Sequence, residues 1–387
     1  MTLKLNKHEN ATALHRQLLT YFRERILDGR LPEGTRLPTE LELATEHQIS
    51  RDTIRHALGQ LVEEGLLERV PGRGTFVRRS TVPSPPVEII PTQDKRIGIV
   101  LNRPTGAQLN MDILIAVEQA VKMGGYHASF TYAEENQVQF ARDIKRLRAD
   151  HVQGLIVFPI CDTSYEETIW QLQAEHFPLV LIDRYYPALE TDYVGSDNVG
   201  GGFRATEHLL ILGHHRIGFC HSPIETIQTT SVRDRWEGYC KALQEYGIPY
   251  DESLVVPNKQ VPKNEIIDLY EALLRRPDRP TAIFAANDLA ALDVLTAAQN
   301  CGLRVPDDLA LVGFDDLDFA PRVHPPLTTV NQPLADIGLY AGKLLINRIE
   351  GQAGPPKHIE LPTRLIVRSS CGARLRVKKA TATLDPS

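Results

Sequence analysis

Several things are scarce in this chain of 387 residues, and each scarcity removes a class of protein. No apolar run approaches the roughly 20 residues that a membrane-spanning helix needs. The opening residues, MTLKLNKHEN, contain no apolar core of a leader, so a secretory signal is not expected. Cysteine is rare and scattered, at Cys161, Cys220, Cys240, Cys301 and Cys371, and never in a C-x-x-C pair. A disulfide frame or a zinc site is therefore not expected, and each thiol reads as a small buried hydrophobe in a reducing, cytoplasmic setting. The serine-hydrolase G-x-S-x-G, the zinc-binding H-E-x-x-H and the phosphate-cradling G-x-x-x-x-G-K-[ST] are missing. Gly200–Gly202 are followed by Phe203 and Arg204, not by Lys-Ser or Lys-Thr. His214 and His215 are adjacent and would point apart, so helix-end capping fits them better than a shared metal. An enzyme is not expected, and no catalytic residue, metal or cofactor is assigned.

What is present is ordinary globular material, with 42% apolar and 24% charged residues. The formal net charge of −6 is unevenly spread. Residues 1–80 carry 13 Lys and Arg against 11 Asp and Glu, a net of +2, and the remainder carries 30 against 38, a net of −8. Attraction to nucleic acid is thus permitted for the N-terminal part alone. Four prolines in residues 81–95 read as an extended linker. The expected division is 1–80 as head, 81–95 as linker, 96–371 as body and 372–387 as a frayed tail.

The head reads as three helices and a hairpin. Leu14, Leu18, Tyr21, Phe22 and Ile26 fall at helical spacing, and Gly29 stops that helix. Thr39 with Glu42 forms a capping box for a second helix, in which Leu41 and Ala44 are expected to face inward. After the turn His47–Ser50, Ser50 caps a third helix whose core stripe is Ile54, Ala57, Leu58 and Leu61. Gly65 ends it. Two short strands joined by Pro71-Gly72-Arg73-Gly74 complete a winged helix-turn-helix. On the third helix Arg51 and Arg55 share the face opposite the core, with Thr53 between them and Gln48 and Ser50 at its start. Arginine forks onto guanine, and threonine suits a phosphate or a thymine methyl. Arg73 at the hairpin tip could enter a minor groove or touch a phosphate.

The body alternates apolar runs of strand length (96–102, 154–159, 178–183, 216–221, 281–287, 309–315) with amphipathic segments such as 199–212, 232–246 and 288–300. Near-continuous apolar strands point to buried parallel sheets in a doubly wound α/β architecture. Such sheets bind ligands at the carboxyl ends of their strands. Here those ends carry Asn102, Asp183, His221, Asn287 and Asp315, with Pro159 the exception, which suggests a polar cleft.

Two resemblances follow. The segments LPTELELA, ISRDTIRHALGQLVEEGLL and PGRGTFV resemble the GntR family of winged-helix repressors over about residues 12–78. That resemblance implies that Arg51, Thr53 and Arg55 contact bases and phosphates, with Arg73 and Gly74 on the wing. Leu41 stands where many members carry an arginine. The segments VLIDR (180–184), SDNVGG (196–201), EHLLILGHHRIGF (207–219), RWEGY (235–239), FAANDLAA (284–291), VPDDLALVGFDD (305–316) and PPLTTV (325–330) resemble the LacI/GalR effector domain, which has the periplasmic sugar-binding-protein fold with two subdomains. That resemblance implies that Asp183, Arg235, Asn287 and Asp315 face a ligand. Asn102, Phe158 and Arg184 join them at the strand ends. Carboxylates accept from sugar hydroxyls, arginine forks onto two of them, and Phe158 or Phe314 could stack on a ring.

The pairing of such a head with such a body resembles the arabinose repressors, and tilts the expected sugar toward L-arabinose. The implied mechanism is a homodimer formed through the body, holding two heads on half-sites of double-stranded operator DNA roughly 34–36 Å apart. Sugar closes the cleft and the DNA is released. A transport-type binding protein is disfavoured by the DNA-type head. A regulator responding to a nucleoside or phosphosugar, or using its effector as corepressor, remains the alternative.

Overall fold

The computed structural model describes residues 11–28, 30–78, 95–101, 107–133, 136–160, 167–223, 226–257 and 262–373. The expected stop at Gly29, the linker apart from Lys95, and the tail from 374 onward lie outside them. The chain divides into two compact units, 1–92 and 93–387.

In the first unit, α1 (Ala11–Leu27), α2 (Glu40–His47) and α3 (Arg51–Glu63) are followed by β1 (Leu67–Val70) and β2 (Gly74–Val77). Local chemistry sets the boundaries. The Thr39 hydroxyl accepts from the Glu42 amide, and the Glu42 carboxylate accepts from the Thr39 amide at 2.7 Å, so two orphan donors are satisfied at once. Ser50 Oγ accepts from the Thr53 amide at 3.1 Å and starts α3. Ile54, Ala57, Leu58 and Leu61 are buried against Leu18, Phe22 and Leu43. β1 and β2 pair antiparallel, and Gly72 and Gly74 take positive φ in the turn.

One expectation for α2 fails. Leu41 is 57% exposed, whereas Leu43 and His47 are buried. At 100° per residue Leu41 lies about 200° around the helix from Leu43, so the two cannot share the core face.

The second unit contains two sheets. Its elements are β3 (Arg96–Leu101), α4 (Ala107–Met123), β4 (His127–Tyr132), α5 (Gln137–Ala149), β5 (Leu155–Val157), α6 (Glu167–Ala174), β6 (Leu179–Ile182) and β7 (Asp192–Ser196). Then come α7 (Asn198–Ile211), β8 (Ile217–Cys220), α8 (Thr230–Glu245), β9 (Val255–Val256), α9 (Ile266–Leu274), β10 (Ala282–Ala285), α10 (Asp288–Asn300) and β11 (Ala310–Asp315). The last are β12 (Thr328–Asn331), α11 (Leu334–Ile349), β13 (His358–Leu361) and β14 (Arg364–Ile366). The sheet orders are β13-β7-β6-β5-β3-β4 and β14-β12-β11-β10-β8-β9. Every pairing in the first is parallel, and in the second β14 alone runs antiparallel, against β12. This is the two-subdomain, doubly wound arrangement expected. The six expected runs all form strands, shortened at their ends, while β4, β7, β9, β12, β13 and β14 were not anticipated.

The chain passes between subdomains three times. It leaves β7 for α7, which packs on the second sheet with Phe219, Phe284 and Val312. It leaves β12 for α11, which packs on the first sheet with Ile97, Ile156 and Val180. It passes from β13 to β14. Glycines make two helix crossings close. A Cβ on Gly338 would lie 2.6 Å from the Ile113 carbonyl oxygen, and one on Gly342 would lie 2.7 Å from the Ala120 Cβ, so α11 can lie tight on α4. A Cβ on Gly202 would lie 2.1 Å from the Arg235 carbonyl oxygen, and one on Gly238 the same distance from that of Val199. Gly202 and Gly238 thus bring α7 onto α8, whereas a Cβ on Gly201 would meet the Phe314 ring. No helix among the described residues is long and apolar enough to cross a membrane.

Candidate functional site

On the first unit, α3 presents Arg51, Asp52 and Arg55 to solvent. Gln48 ends α2 in the left-handed region at φ 54°, which turns the chain into α3. The Ser50 and Thr53 hydroxyls are 2.7 Å apart, so both sit at the helix start and engage each other. Arg55 lies near two carboxylates: its Nε is 3.3 Å from Glu40 Oε2 and its Nη1 is 3.1 Å from Asp52 Oδ1. Glu40 Oε1 also accepts from Arg69 of β1 at 3.1 Å. Exposed pairs of this kind contribute about 0–1 kcal/mol, so Arg55 is oriented without being committed. Arg73 is exposed at the hairpin turn. Gly74, at φ 117°, has the Arg36 Nε only 3.1 Å from where a Cβ would stand. Sequence reading missed Glu40, Arg69 and Arg36. Glu40 and Arg69 are 29 positions apart, and no local pattern links them.

In the second unit the expected residues gather at the carboxyl ends of the strands, in two sets. Phe158, Asp183 and Arg184 belong to the first subdomain and are all buried. The Arg184 guanidinium lies 4.9 Å from the centre of the Phe158 ring, donates to the Pro159 carbonyl at 3.0 Å and stands 3.7 Å from Asp183. Arg235, Asn287 and Asp315 belong to the second subdomain and are also buried. Arg235 donates to Asn198 Oδ1 at 2.9 Å and to the Ala286 carbonyl at 2.7 Å, and lies 3.4 Å from Asp315 Oδ1. Its guanidinium covers Phe314 at 3.8 Å, so that ring faces arginine. Asn287 caps α10 by accepting from the Ala290 amide at 2.8 Å. Asn102 lies outside the described residues.

Asp183, Asp315 and Asp316 all have φ in the left-handed region, at 63°, 113° and 56°. Each such residue costs roughly 1–3 kcal/mol and is retained where the surroundings enforce it, often at functional sites. The two sets approach each other at Tyr185. Its amide donates to Thr230 Oγ1 at 3.1 Å, its hydroxyl to Asp234 at 3.0 Å, and Arg233 donates to that hydroxyl at 2.7 Å. Burial, then the Asp234 charge, push the Tyr185 hydroxyl up to about 12, so it stays a donor. Burial also raises the Asp234 carboxyl.

A polar network connects this cleft to the crossovers. Gln332 donates to Asp315 Oδ1 at 2.6 Å and accepts from Ser196 Oγ at 2.8 Å. Ser196 and Asn198 flank the first crossover and Gln332 the second. Arg235 and Asp315 therefore sit in the middle of a chain of contacts running Ser196–Gln332–Asp315–Arg235–Asn198. Beside Asp315 lies a cavity of about 470 Å³ lined also by Asp316, Gln332, Asp112 and Gln119. It shares Asp315 with the cleft, but none of the other expected residues. Asp288, on α10, accepts from Thr329 at 2.6 Å and from the Leu317 amide at 2.8 Å, and burial with the neighbouring Asp315 charge pushes its carboxyl up to about 8.

Comparison with known proteins agrees with both units. Residues 14–77 match the family described as bacterial regulatory proteins, gntR family, and residues 206–371 match the periplasmic binding protein-like domain. The chain is similar to an arabinose metabolism transcriptional repressor of Geobacillus stearothermophilus, at 31% identity over 84% of this chain and 88% of that one. It is similar to a protein of the same description from Halalkalibacterium halodurans, at 30% identity over 90% of this chain and 94% of that one. Among solved structures it resembles a complex of the transcriptional regulator CelR with cellobiose, with a TM-score of 0.61 and 27% identity, over 86% of this chain and all of that one.

Proposed function

Because the chain belongs to the transcriptional repressors that join a gntR-type winged-helix head to a LacI-type, periplasmic-binding-protein-like body, we propose how its residues divide the work and which small molecule links them. The protein is a DNA-binding transcriptional regulator that responds to a sugar. In our reading Arg51, Thr53 and Arg55 enter the major groove, Gln48 and Ser50 set the start of that helix, and Arg73 and Gly74 place the wing. The effector is a pentose, L-arabinose first, held between Phe158, Asp183 and Arg184 on one side and Arg235, Asn287 and Asp315 on the other.

The observation that carries this reading is the polar network through Arg235 and Asp315. A sugar hydroxyl that accepts from Arg235 or donates to Asp315 must redistribute contacts reaching Gln332, Ser196 and Asn198 at the crossovers. Hinge closure then follows from binding, because the ligand contacts both lips only when they are closed. We place the homodimer interface on the body, where Met111 and Ile115, one turn apart on α4, are each 50% exposed and Leu292 of α10 is 37% exposed. Two heads so joined call for a near-palindromic operator. The protein works in the cytoplasm, where its DNA is.

The test is binding to the promoter fragment upstream of the chain's own gene, at two salt concentrations, with a panel of pentoses and hexoses. L-Arabinose is expected to weaken binding, and by reciprocity DNA should weaken arabinose binding by the same factor. Tighter binding with sugar would make the effector a corepressor. Binding that no sugar alters would move the effector to phosphosugars or nucleosides.

A further inference from the structure

Among the described residues of the head, Leu41 is the one large apolar side chain left exposed. The core does not use it, since Leu43 and His47 occupy the buried side of α2. Its position is next to the reading helix. Glu40, one residue earlier, lies within hydrogen-bonding reach of Arg55 on α3 and Arg69 on β1. Leu41 thus stands at the start of α2, on the rim of the surface that presents Arg51 and Arg55. At 57% exposed this leucine leaves apolar area in water that would gain by burial.

The major groove offers one apolar feature at a base edge, the thymine C5 methyl group. We infer that Leu41 is a specificity-determining contact that packs on a thymine methyl at the edge of each half-site. Cytosine lacks that methyl and leucine has no hydrogen bond to offer guanine, so the contact selects T·A over C·G. The inference rests on the DNA-binding reading of the head.

Deoxyuridine removes only the methyl, which makes the test direct. The wild-type chain is footprinted on its own upstream promoter fragment. Duplexes of the protected site are then made with each thymidine replaced singly by deoxyuridine, and titrated with wild type, Leu41→Ala and Arg55→Ala. One thymine per half-site is expected to matter: its replacement lowers wild-type affinity about fourfold, the value of one buried methyl-sized group. The same replacement leaves Leu41→Ala unchanged. Arg55→Ala is expected to bind every duplex more weakly and keep the deoxyuridine effect, which separates the two roles. If no replacement discriminates between wild type and Leu41→Ala, the inference is wrong while DNA binding stands. Failure of the wild type to protect any site would overturn the DNA-binding reading, and this inference with it. Leu41→Ala leaves Leu43 and the rest of the head core untouched, and its helical circular dichroism should match the wild type.

Discussion

Replacing Arg235 by alanine tests the cleft most severely, because this residue serves both structure and signal. Its side chain is 2% exposed and that of Asp315 is 1% exposed. Removing the guanidinium leaves the Asp315 carboxylate buried without its cation, and strips Asn198, the Ala286 carbonyl and the Phe314 face of their contacts. Breaking a buried pair from one side costs about 3–5 kcal/mol. For a body of this size each kcal/mol moves the midpoint by about 2–4 °C, so Arg235→Ala should unfold roughly 6–20 °C earlier in a calorimetric scan of the full chain. Asp315→Asn in the Arg235→Ala background removes the stranded charge. The double variant should therefore be more stable than the sum of the single losses, by about 0.5–3 kcal/mol. At a temperature where Arg235→Ala is folded, it should bind promoter DNA normally and no longer release it with sugar. A loss below about 1 kcal/mol, or strictly additive losses, would show that the pair does not carry the load assigned to it here.

Four further outcomes are expected. Arg55→Ala should weaken DNA binding by about 1–3 kcal/mol and leave sugar affinity, measured by calorimetry, unchanged. Tyr185→Phe loses a hydroxyl that bonds across the subdomains to Asp234 and Arg233; at about 0.5–1.5 kcal/mol per bond the pair is worth about 1–3 kcal/mol, so half-release of DNA should need about five- to 150-fold more sugar. Asp288 binds its proton more tightly folded, near 8, than unfolded, near 4; its contribution to stability is full below about pH 4 and lost as pH rises through 8, and Asp288→Asn should flatten that loss in urea titrations. Gly238→Ala would push a Cβ to 2.1 Å from the Val199 carbonyl oxygen and should cost about 3 kcal/mol by spreading α7 from α8, visible as an earlier thermal transition.

What was legible in the sequence was local. Thr39 with Glu42, Ser50, and the stripe Ile54, Ala57, Leu58 and Leu61 act over three to seven residues, so their spacing predicts their structure. The apolar runs behind β3, β6, β10 and β11 are buried on both faces and stand out for that reason. By contrast β4 and β13 lie at sheet edges with half their residues exposed, and β12 reads Thr-Thr-Val-Asn, so none gives a continuous apolar signal. The candidate site divides in the same way. Asp183, Asn287 and Asp315 were visible as polar residues ending apolar strands. Gln332, Ser196 and Tyr185 were not, because their roles depend on partners between 17 and 136 positions away. Leu41 was misplaced because Leu41 and Leu43 stand two positions apart in a helix of eight residues, so only one of them can face the core and the spacing does not say which.

The three passages between subdomains have a consequence for how the protein is made. Every helix and strand among the described residues of the head has been synthesised by Val77. Neither sheet of the body can close until the far end of the chain arrives. The first waits for β13 at 358–361 beside β7, and the second for β14 at 364–366 beside β12. That is about 280 residues later, or roughly 14–56 s at about 5–20 residues per second. During that interval a nascent chain carries a finished DNA reader and no finished sensor. A chain cut short before β13 would carry a folded head with neither a finished sensor nor the body through which two heads are proposed to pair.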